Sequence, residues 1–259
     1  MDLGIAGRNA IVCASSRGLG RACAFELARA GCRVVINGRE AERLEEVRAA
    51  IAAATGAEVT AVAADLSTPE GREALLGALP QVDILVNNNG GPPPRDWQRL
   101  QAGDIIAGLE ANMIAPIALI QAVLDGMVER RFGRVVNITS GSVKMPMAGL
   151  ELSSGARAGL TGFVAGVARS VADANVTINN LLPGQFDTDR IASLIETQAK
   201  RSGLDEEEVR RDRQLKIPAG RFGDPAEFGA ACAFLCSAQA GYITGQSLLI
   251  DGGAFPGIM

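Results

Sequence analysis

The chain has 259 residues, 47% of them hydrophobic and 21% charged, which is typical of a globular protein with one large or two small domains. Its formal net charge of −4 argues against nucleic acid and against an anionic membrane surface as the main partner. The chain contains no histidine, which excludes a serine–histidine triad and removes the most common neutral metal ligand.

The cysteines and the first residues indicate a cytoplasmic protein. Three cysteines, at Cys13, Cys23 and Cys32, are scattered, whereas Cys232 and Cys236 have the spacing of one helix face. We interpret all five as small buried residues in a reducing compartment, in preference to a metal or disulfide site. The N-terminus has no basic segment followed by an apolar one, so no secretory signal is expected. We also expect no apolar run long enough to span a bilayer.

Short β-branched segments alternate with longer helical patterns along the chain. In order, the predicted strands are Asn9–Cys13, Arg33–Asn37, Glu58–Ala63, Asp83–Asn87, Arg134–Thr139, Val176–Leu181 and Ser247–Ile250. Between them, helices are predicted near Gly18–Ala30, Glu40–Ala54, Pro69–Leu79, Ala102–Arg130, Ser153–Ala172 and Pro225–Ser237. This alternation predicts an α/β fold with a doubly wound parallel sheet of the Rossmann type. No linker or repeat divides the chain, so we predict a single domain over residues 1–259.

Two segments carry further structural predictions. The helix predicted at Ser153–Ala172 has an apolar face with the i, i+3, i+4, i+7 rhythm of burial. That face comprises Leu160, Phe163, Val164, Val167, Ala168 and Val171. Residues 187–221 are less regular and contain a charged cluster, Asp205–Arg213. They form either a helical lid over a substrate site or a plain solvated helix, and the charges alone do not separate these alternatives.

The segment after the first predicted strand indicates a dinucleotide site. Gly18 and Gly20 allow the backbone to approach a pyrophosphate, and the following helix offers free N–H groups at its N-terminus. Glycines at such a turn can reflect turn geometry alone. Their position in the first βα unit favours nucleotide binding instead. The predicted contacts in this segment are Ala14, Ser16, Arg17, Gly18, Leu19 and Gly20.

The end of the second predicted strand indicates which dinucleotide is bound. Enzymes that prefer NAD place a carboxylate there for the ribose hydroxyls. This strand ends with Asn37-Gly38-Arg39 and has no carboxylate. Arg39, together with Arg17, has the forked donors that suit a 2′-phosphate, although both can be plain surface arginines. We therefore predict NADP(H) in preference to NAD(H).

Further motifs follow the glycine loop over essentially the whole chain. They are Asp65-Leu66, Asn87-Asn88-Asn89-Gly90, Asn112, Ser140, the segment from Pro183-Gly184 to Thr188, and Tyr242–Gly253. Together with the glycine loop, in which Cys13 and Ala14 replace the family's Thr and first Gly, these motifs in this order resemble the short-chain dehydrogenase/reductase family, in particular its 3-oxoacyl-carrier-protein reductases.

The resemblance implies a role for each matched position. Asp65 and Leu66 would contact the adenine end of the cofactor, and Asn88 and Gly90 would also bind the cofactor. Pro183, Gly184, Phe186 and Thr188 would lie along the nicotinamide. Ser140 would hydrogen-bond the substrate oxygen, and Asn112 would hold a proton-relay water. The segment Tyr242–Gly253 would belong to the interface of a homotetramer or homodimer.

One part of the family pattern is missing. The family has Tyr-x-x-x-Lys thirteen residues after the serine, and counting from Ser140 gives Ser153 and Arg157. In the family the tyrosine protonates the carbonyl oxygen, and the lysine lowers its pKa and binds ribose. A serine hydroxyl is a far weaker acid than a phenol and ends roughly 4–5 Å short of a phenol oxygen. Arg157 can bind ribose but stays protonated.

Lys144 is a candidate replacement for the missing phenol. It lies four residues after Ser140, in a loop expected to border the substrate pocket together with Gly91–Pro94. Its ammonium could donate a proton or stabilise an oxyanion, although a solvated loop lysine is the simpler interpretation.

Two functions follow from these predictions. The first is an NADP(H)-dependent oxidoreductase acting on a small carbonyl or alcohol substrate, a 3-oxoacyl thioester among the candidates, with Lys144 or water as proton donor. The second is a catalytically impaired dehydrogenase fold that binds NADP(H) as a sensor or scaffold, since fold alone does not establish function.

Overall fold

The computed structural model describes residues 2–91 and 95–257, and in that part of the chain seven parallel strands form one sheet. The strands are β1 (Asn9–Val12), β2 (Arg33–Gly38), β3 (Val59–Ala63), β4 (Ile84–Asn87), β5 (Gly133–Ile138), β6 (Val176–Pro183) and β7 (Ser247–Ile250). Their order is β3-β2-β1-β4-β5-β6-β7. The predicted doubly wound Rossmann sheet is confirmed.

Helices cover both faces of the sheet. They are α1 (Gly18–Arg29), α2 (Ala41–Thr55), α3 (Pro69–Leu76), α4 (Ala102–Leu109), α5 (Ala115–Glu129), α6 (Glu151–Ser170), α7 (Asp189–Ser202), α8 (Glu206–Leu215) and α9 (Pro225–Leu235). Leu27 of α1 and Phe228 of α9 are buried in the core on one face. Leu119 of α5 and Leu160 of α6 are buried in the core on the other. The strands are apolar on both faces, as parallel strands between two helical layers must be.

Proline and short polar side chains fix where several helices begin. Pro225 is the first residue of α9 and follows Asp224, whose carboxylate accepts from the amide of Ala226 at 2.8 Å. The carboxylate of Glu227 accepts from the amide of Asp224, also at 2.8 Å, so two amides at the helix start are satisfied reciprocally.

The helix predicted over Ala102–Arg130 is interrupted. A π turn, Glu110–Ile114, separates α4 from α5. Pro116 explains the interruption, because it has no N–H to donate to the carbonyl of Asn112 and its ring clashes with that carbonyl. The side chain of Asn89 donates to the carbonyl of Ala111 at 2.8 Å, so the loop after β4 holds the opened turn.

The predicted buried face of α6 is too wide. Leu160, Val164 and Ala168 are buried, whereas Phe163 is 39% exposed and Val167 is partly exposed. Spacing by four residues keeps the first three on one line that faces the sheet. Phe163 lies to the side of that line and faces away from the core, so the prediction was wrong for this residue.

Residues 187–221 contain two helices with a small core of their own. Helices α7 and α8 pack together through apolar residues that include Ile195, Val209 and Phe222. The charged cluster therefore lies on a helix whose other side is buried. The function of this segment as a lid stays a prediction.

The expectation about apolar runs needs a correction. The continuous helical run Ala102–Glu129 is long and apolar enough to cross a membrane by length and composition. In the fold, however, Leu119, Ile120, Val123 and Met127 from this run are buried in the core between α5 and the sheet. That packing explains the apolar side chains of α5, whereas Ile105, Ile106 and Ile114 in the first half of the run are exposed.

A row of polar side chains crosses the sheet one level below the site. Asn87, Asn137, Asn180 and Ser247 are directly paired on β4, β5, β6 and β7. The amide of Asn87 donates to Asn137 Oδ1 at 2.9 Å, Asn137 donates to Asn180 Oδ1 at 3.2 Å, and Asn180 donates to Ser247 Oγ at 3.1 Å. All three asparagines are buried. Because a slip of one residue would break every bond, the row fixes the strand register.

The polar row generates a stability prediction. Asn137→Ala should lower the free energy of unfolding by about 1–3 kcal/mol, because it leaves Asn180 Oδ1 buried without a partner and leaves Asn87 Nδ2 with only its 3.5 Å contact to the carbonyl of Pro116. Chemical denaturation measures the change. The control is Thr177→Val in β6, because the buried Thr177 hydroxyl has no partner among the described residues. That change should alter stability by less than about 1 kcal/mol or increase it. Equal losses in the two variants would contradict a specific role for the row.

Candidate active site

The candidate site lies where the strand order reverses. In an open parallel sheet, ligands bind outside the carboxyl ends of the strands at this switch point. Here the switch lies between β1 and β4, with β2 and β3 on one side and β5 to β7 on the other. The glycine loop follows β1, the segment Asn88–Gly91 follows β4, and the segment Thr139–Lys144 follows β5. The predicted cofactor and substrate residues are therefore brought to one edge of the sheet.

The glycine loop is shaped for a close approach of backbone. Gly18 opens α1 with φ +56°, a conformation that side chains disfavour. A Cβ built on Gly20 would lie 2.5 Å from the carbonyl oxygen of Ala14 and 2.7 Å from Nδ2 of Asn88. Asn88 donates to that carbonyl at 3.1 Å, so it ties the loop after β4 to the glycine loop. The result is a narrow cradle at the N-terminus of α1.

Asn37 holds the glycine loop from the other side, a role that the sequence did not reveal. Its Oδ1 accepts from the amide of Ala14 at 3.2 Å, and its carbonyl accepts from the amide of Ser15 at 2.7 Å. Its Nδ2 donates to the carbonyls of Val62 and Ala64. Asn37 therefore joins the ends of β2 and β3 to the loop. The available signal was a polar residue at the end of an apolar strand.

Two cationic side chains are exposed at the outer end of the cradle. Arg17 and Arg39 make no ion pair or hydrogen bond through their guanidinium groups within residues 2–91 and 95–257. Hydrogen bonds from the amide and hydroxyl of Ser67 hold the pKa of Asp65 below its usual range, and Arg39 lowers it further through its charge. Arg39 therefore lies near Asp65. Ser16 lines an open cleft together with Arg21 and residues of α2, and Leu66 is buried.

The segment after β6 faces the glycine loop. The amide of Gly184 donates to the carbonyl of Ile250 at 2.8 Å, and Pro183 pairs with Ile250, so the segment is tied to β7. Phe186 is buried edge-on against Phe228. The methyl group of Thr188 lies 3.7 Å from a Cβ built on Gly18. Thr188 and Gly18 thus approach each other across the cleft.

Ser140 stands directly after β5 and caps a short turn, Gly141–Val143. Its Oγ accepts two hydrogen bonds from Ser142, one from the amide at 3.1 Å and one from the hydroxyl at 2.9 Å. The hydroxyl of Ser154, on α6, donates to Ser142 Oγ at 2.9 Å. Sequence reasoning missed Ser142 and Ser154. The signal was a second serine two residues after Ser140 and one beside Ser153.

Ser153 and Arg157 lie on one face of α6, and both are buried. Arg157 Nε donates to Ser153 Oγ at 3.2 Å. Its Nη1 donates to the carbonyls of Ile138 and Thr139 at 2.7 and 2.8 Å, and its Nη2 donates to the carbonyl of Asn89 at 3.2 Å. Of the five N–H donors of a guanidinium, one remains for a ligand. Arg157 therefore ties the ends of β4 and β5 together, and its predicted ribose contact rests on one hydrogen.

The charge of Arg157 is held without a carboxylate among its hydrogen-bond partners. Burial lowers the pKa of Arg157 to about 10, and the charge of Arg190 contributes in the same direction. The group is still protonated at neutral pH and does not shuttle protons. Arg190 is exposed at the start of α7, with Nη1 lying 3.2 Å from a Cβ built on Gly91. No motif or spacing in the sequence points to this second cation.

Asn112 and Lys144 complete the predicted set. Asn112 is buried in the π turn, with Nδ2 donating to the carbonyl of Gly108 at 3.4 Å. Its Oδ1 has no partner among the residues that the structure describes. Lys144 follows the turn after Ser140 and is half-buried. Its amide donates to the carbonyl of Gly141, and the structure shows no bond from its ammonium to any described residue. Pro92–Pro94, predicted to stiffen the pocket, lie outside the described residues.

The cysteines take no part in the site's chemistry. All five are free and buried, as predicted. Burial raises the pKa of the Cys13 thiol to about 12, so it stays protonated. No cluster of metal-binding side chains occurs within the described ranges.

Comparison with known proteins agrees with this geometry. A profile of the short chain dehydrogenase family matches residues 8–199. The chain is 34% identical over 259 residues to 3-oxoacyl-[acyl-carrier-protein] reductase of Aquifex aeolicus, covering 98% of this chain and 100% of the relative. It is 31% identical over 256 residues to the NADPH-dependent reductase BacG of Bacillus subtilis, covering 97% and 99%.

A solved structure is similar over the full length. L-sorbose reductase from Gluconobacter frateurii, in complex with NADPH and L-sorbose, superposes with a TM-score of 0.94 at 28% identity and covers 100% of both chains. The chain belongs to the short-chain dehydrogenase family, and the protein is an oxidoreductase of that type.

The glycine loop generates a second prediction. Ala14 has φ +44°, where a Cβ is strained and glycine is not. Ala14→Gly should therefore raise the free energy of unfolding by up to about 1 kcal/mol, measured by chemical denaturation. Ala30→Gly, at the end of α1 with φ −79°, is the control and should be neutral or destabilising. A loss of stability in Ala14→Gly would show that the loop is not strained at this residue.

Proposed function

We propose that the protein is an NADP(H)-dependent carbonyl reductase, or the corresponding alcohol dehydrogenase, whose proton donor is not a phenol. The cradle formed by Gly20, Ala14 and Asn88 carries the proposal, because a Cβ would fill it and a pyrophosphate at a helix N-terminus fits it. Ser140 lies at the end of a neighbouring strand with its hydroxyl hydrogen available. When bound, the cofactor would supply the hydride.

Preference for NADP(H) has two supports. Relatives that resemble this chain over nearly their whole length include an NADPH-dependent reductase and a reductase solved with NADPH. In this chain, Arg17 and Arg39 flank the cradle on its outer side, and β2 ends without a carboxylate. Two guanidiniums match the charge and geometry of a 2′-phosphate.

Arginine substitutions test this preference. Arg39→Ala and Arg17→Ala should each weaken NADPH binding by about 10- to 100-fold, the value of one charge-assisted contact, and change NADH binding by less than about twofold. Fluorescence titration measures both affinities. Arg33→Ala is the control, because Arg33 lies at the opposite end of β2, where it bonds the carbonyl of Gly7. Parallel losses for NADPH and NADH would contradict 2′-phosphate recognition.

The remaining residues have supporting roles. Ser140 would orient the substrate oxygen. Arg157 would place positive charge beneath the nicotinamide ribose and hold the loop after β4. Asn112, with its unpartnered Oδ1, would hold a water. We assign Ser153 and Arg157 to the positions of the family's tyrosine and lysine, because they share one face of α6 beside the end of β5.

A catalytically impaired member of the family that binds NADP(H) as a sensor or scaffold is the second candidate. The hydrogen bond between Arg157 and Ser153 favours it, because it engages the two groups that stand where the family places its acid. A sensor or scaffold would bind NADPH and leave it unoxidised. The discriminating experiment mixes protein and NADPH with ketones, aldehydes and 3-oxoacyl thioesters and follows NADPH absorbance. Oxidation with any of these substrates supports the reductase.

Restoring the family motif tests whether the rest of the site is competent. The double variant Ser153→Tyr/Arg157→Lys should oxidise NADPH about tenfold faster or more, because a phenol is a better acid than an aliphatic hydroxyl. The rate of NADPH oxidation measures the gain, and fluorescence titration shows that affinity is kept. Arg157→Lys alone is the control and should show no gain. A folded double variant that binds NADPH and gains nothing would contradict the proposed site.

The substrate class and the assembly follow from the same proposal. Relatives include reductases of 3-oxoacyl-carrier protein and of L-sorbose, so a small carbonyl compound is the proposed substrate class. A homo-oligomer, dimeric or tetrameric, is also proposed. Its support is the exposure of large apolar side chains on the helices around α4 to α6, namely Ile105, Ile106, Ile114 and Phe163, and of Tyr242.

A further inference from the structure

Three serine hydroxyls form a chain that ends at the reacting position. Ser154 Oγ lies 2.9 Å from Ser142 Oγ, which lies 2.9 Å from Ser140 Oγ. The amide of Ser142 also donates to Ser140 Oγ at 3.1 Å. A hydroxyl oxygen that accepts two hydrogen bonds has only its own hydrogen left to offer. Ser140 is therefore set as a donor towards whatever oxygen faces it.

The middle one of the three hydroxyls is shielded from water, and the outer one is accessible to it. Ser142 is 2% exposed, so its hydroxyl exchanges protons only with Ser140 and Ser154. Ser154 is partly exposed on the first turn of α6 and can accept from solvent. The chain therefore connects solvent to the substrate position through one buried hydroxyl.

We propose that Ser154, Ser142 and Ser140 form a proton relay that replaces the missing phenol. This inference rests on the proposed reductase function and assigns its proton source. Ser140 is the catalytic residue, since it touches the substrate oxygen. Ser142 and Ser154 are positioning residues that pass the proton to it.

The relay balances the reduction. The carbonyl carbon gains a hydride from NADPH, and the carbonyl oxygen takes the hydrogen of Ser140. Ser140 takes the hydrogen of Ser142, Ser142 takes that of Ser154, and Ser154 takes a proton from water. The net change is one carbonyl, one NADPH and one solvent proton consumed, with one alcohol and one NADP⁺ formed. Oxidation of the alcohol runs the same steps in reverse.

A relay avoids the weakness of a single serine as an acid. When all four transfers occur together, including the one from solvent to Ser154, no serine is left ionised in the buried site. Each hydroxyl that accepts a hydrogen bond also becomes a stronger donor, because aligned hydrogen bonds polarise one another. The amide of Ser142 adds a fixed dipole pointing at Ser140 Oγ.

The test removes single hydroxyls from the full-length protein. Ser142→Ala should slow single-turnover oxidation of bound NADPH by about 100-fold or more, the value of a general acid, and change NADPH affinity by less than about twofold. The substrate is the panel compound that the wild type reduces fastest. Ser154→Ala should also slow the step, and Ser154→Thr, which keeps a hydroxyl, should restore it. Ser170→Ala is the control and should leave the rate unchanged, because Ser170 lies at the end of α6 and is not one of the three hydrogen-bonded serines.

Rates in mixtures of H₂O and D₂O supply a readout that a structural role would not change. Because several hydrogens move together, a plot of the wild-type rate against the deuterium fraction of the solvent should be curved. Ser142→Ala should give a straight line, because only one hydrogen then moves. Wild-type kinetics without a solvent isotope effect, or a curve that persists in Ser142→Ala, would overturn the relay.

Two further outcomes separate the relay from the function on which it rests. Lys144→Met should keep most of its activity, and a loss comparable to that of Ser142→Ala would assign the proton to Lys144 and overturn the relay. If the wild type reduces no panel compound and Ser153→Tyr/Arg157→Lys does, the cofactor site is competent and the relay is wrong. If neither protein reduces any compound, the reductase function itself fails and the relay fails with it.

Discussion

The asparagine row across β4 to β7 is the constraint on which the site depends. Its three amides donate in one direction, from Asn87 to Asn137 to Asn180 and on to Ser247, in a buried layer where an unpaired amide would be costly. The strands it joins are therefore held in a fixed register, and β4 and β5 end within one residue of the row. Asn88 follows the row by one residue, and Ser140 follows it by three. The functional loops thus start from a common plane.

Above that plane, the loops are held by hydrogen bonds between neighbouring segments, in addition to the turns within each loop. Asn88 donates to Ala14 and so links the loops after β4 and β1. Asn89 holds the π turn that Pro116 creates. Arg157 bonds the carbonyls at the end of β5 and the loop after β4. Each side chain satisfies backbone groups that the end of a strand or an opened helix leaves exposed, so the cleft is rigid before a ligand arrives.

The sequence predicted what depends on local pattern. The parallel sheet, the helices on both its faces and the glycine loop follow from alternation and spacing, which are properties of neighbouring residues. The width of the buried face of α6 does not follow from the pattern. A stripe with i, i+3 and i+4 members does not define how much of the helix contacts the sheet, and Phe163 lies outside that contact. The bonds of Asn37, Ser142 and Arg190 join residues far apart in the chain or depend on turn geometry, so no spacing rule reveals them.

The hydrogen bonds of Arg157 have a physical consequence for where acid chemistry can occur in the proposed reductase. A guanidinium has five donors in a plane, and here four of them are engaged by Ser153, two carbonyls of β5 and the carbonyl of Asn89. Ser153 Oγ accepts a hydrogen bond from Nε of Arg157 on the same helix, and Ser153 is buried. The hydroxyl that remains directed by two donors and open to a ligand is Ser140. In the proposed site, the turn after β5 is therefore the place where hydrogen-bond donation is organised.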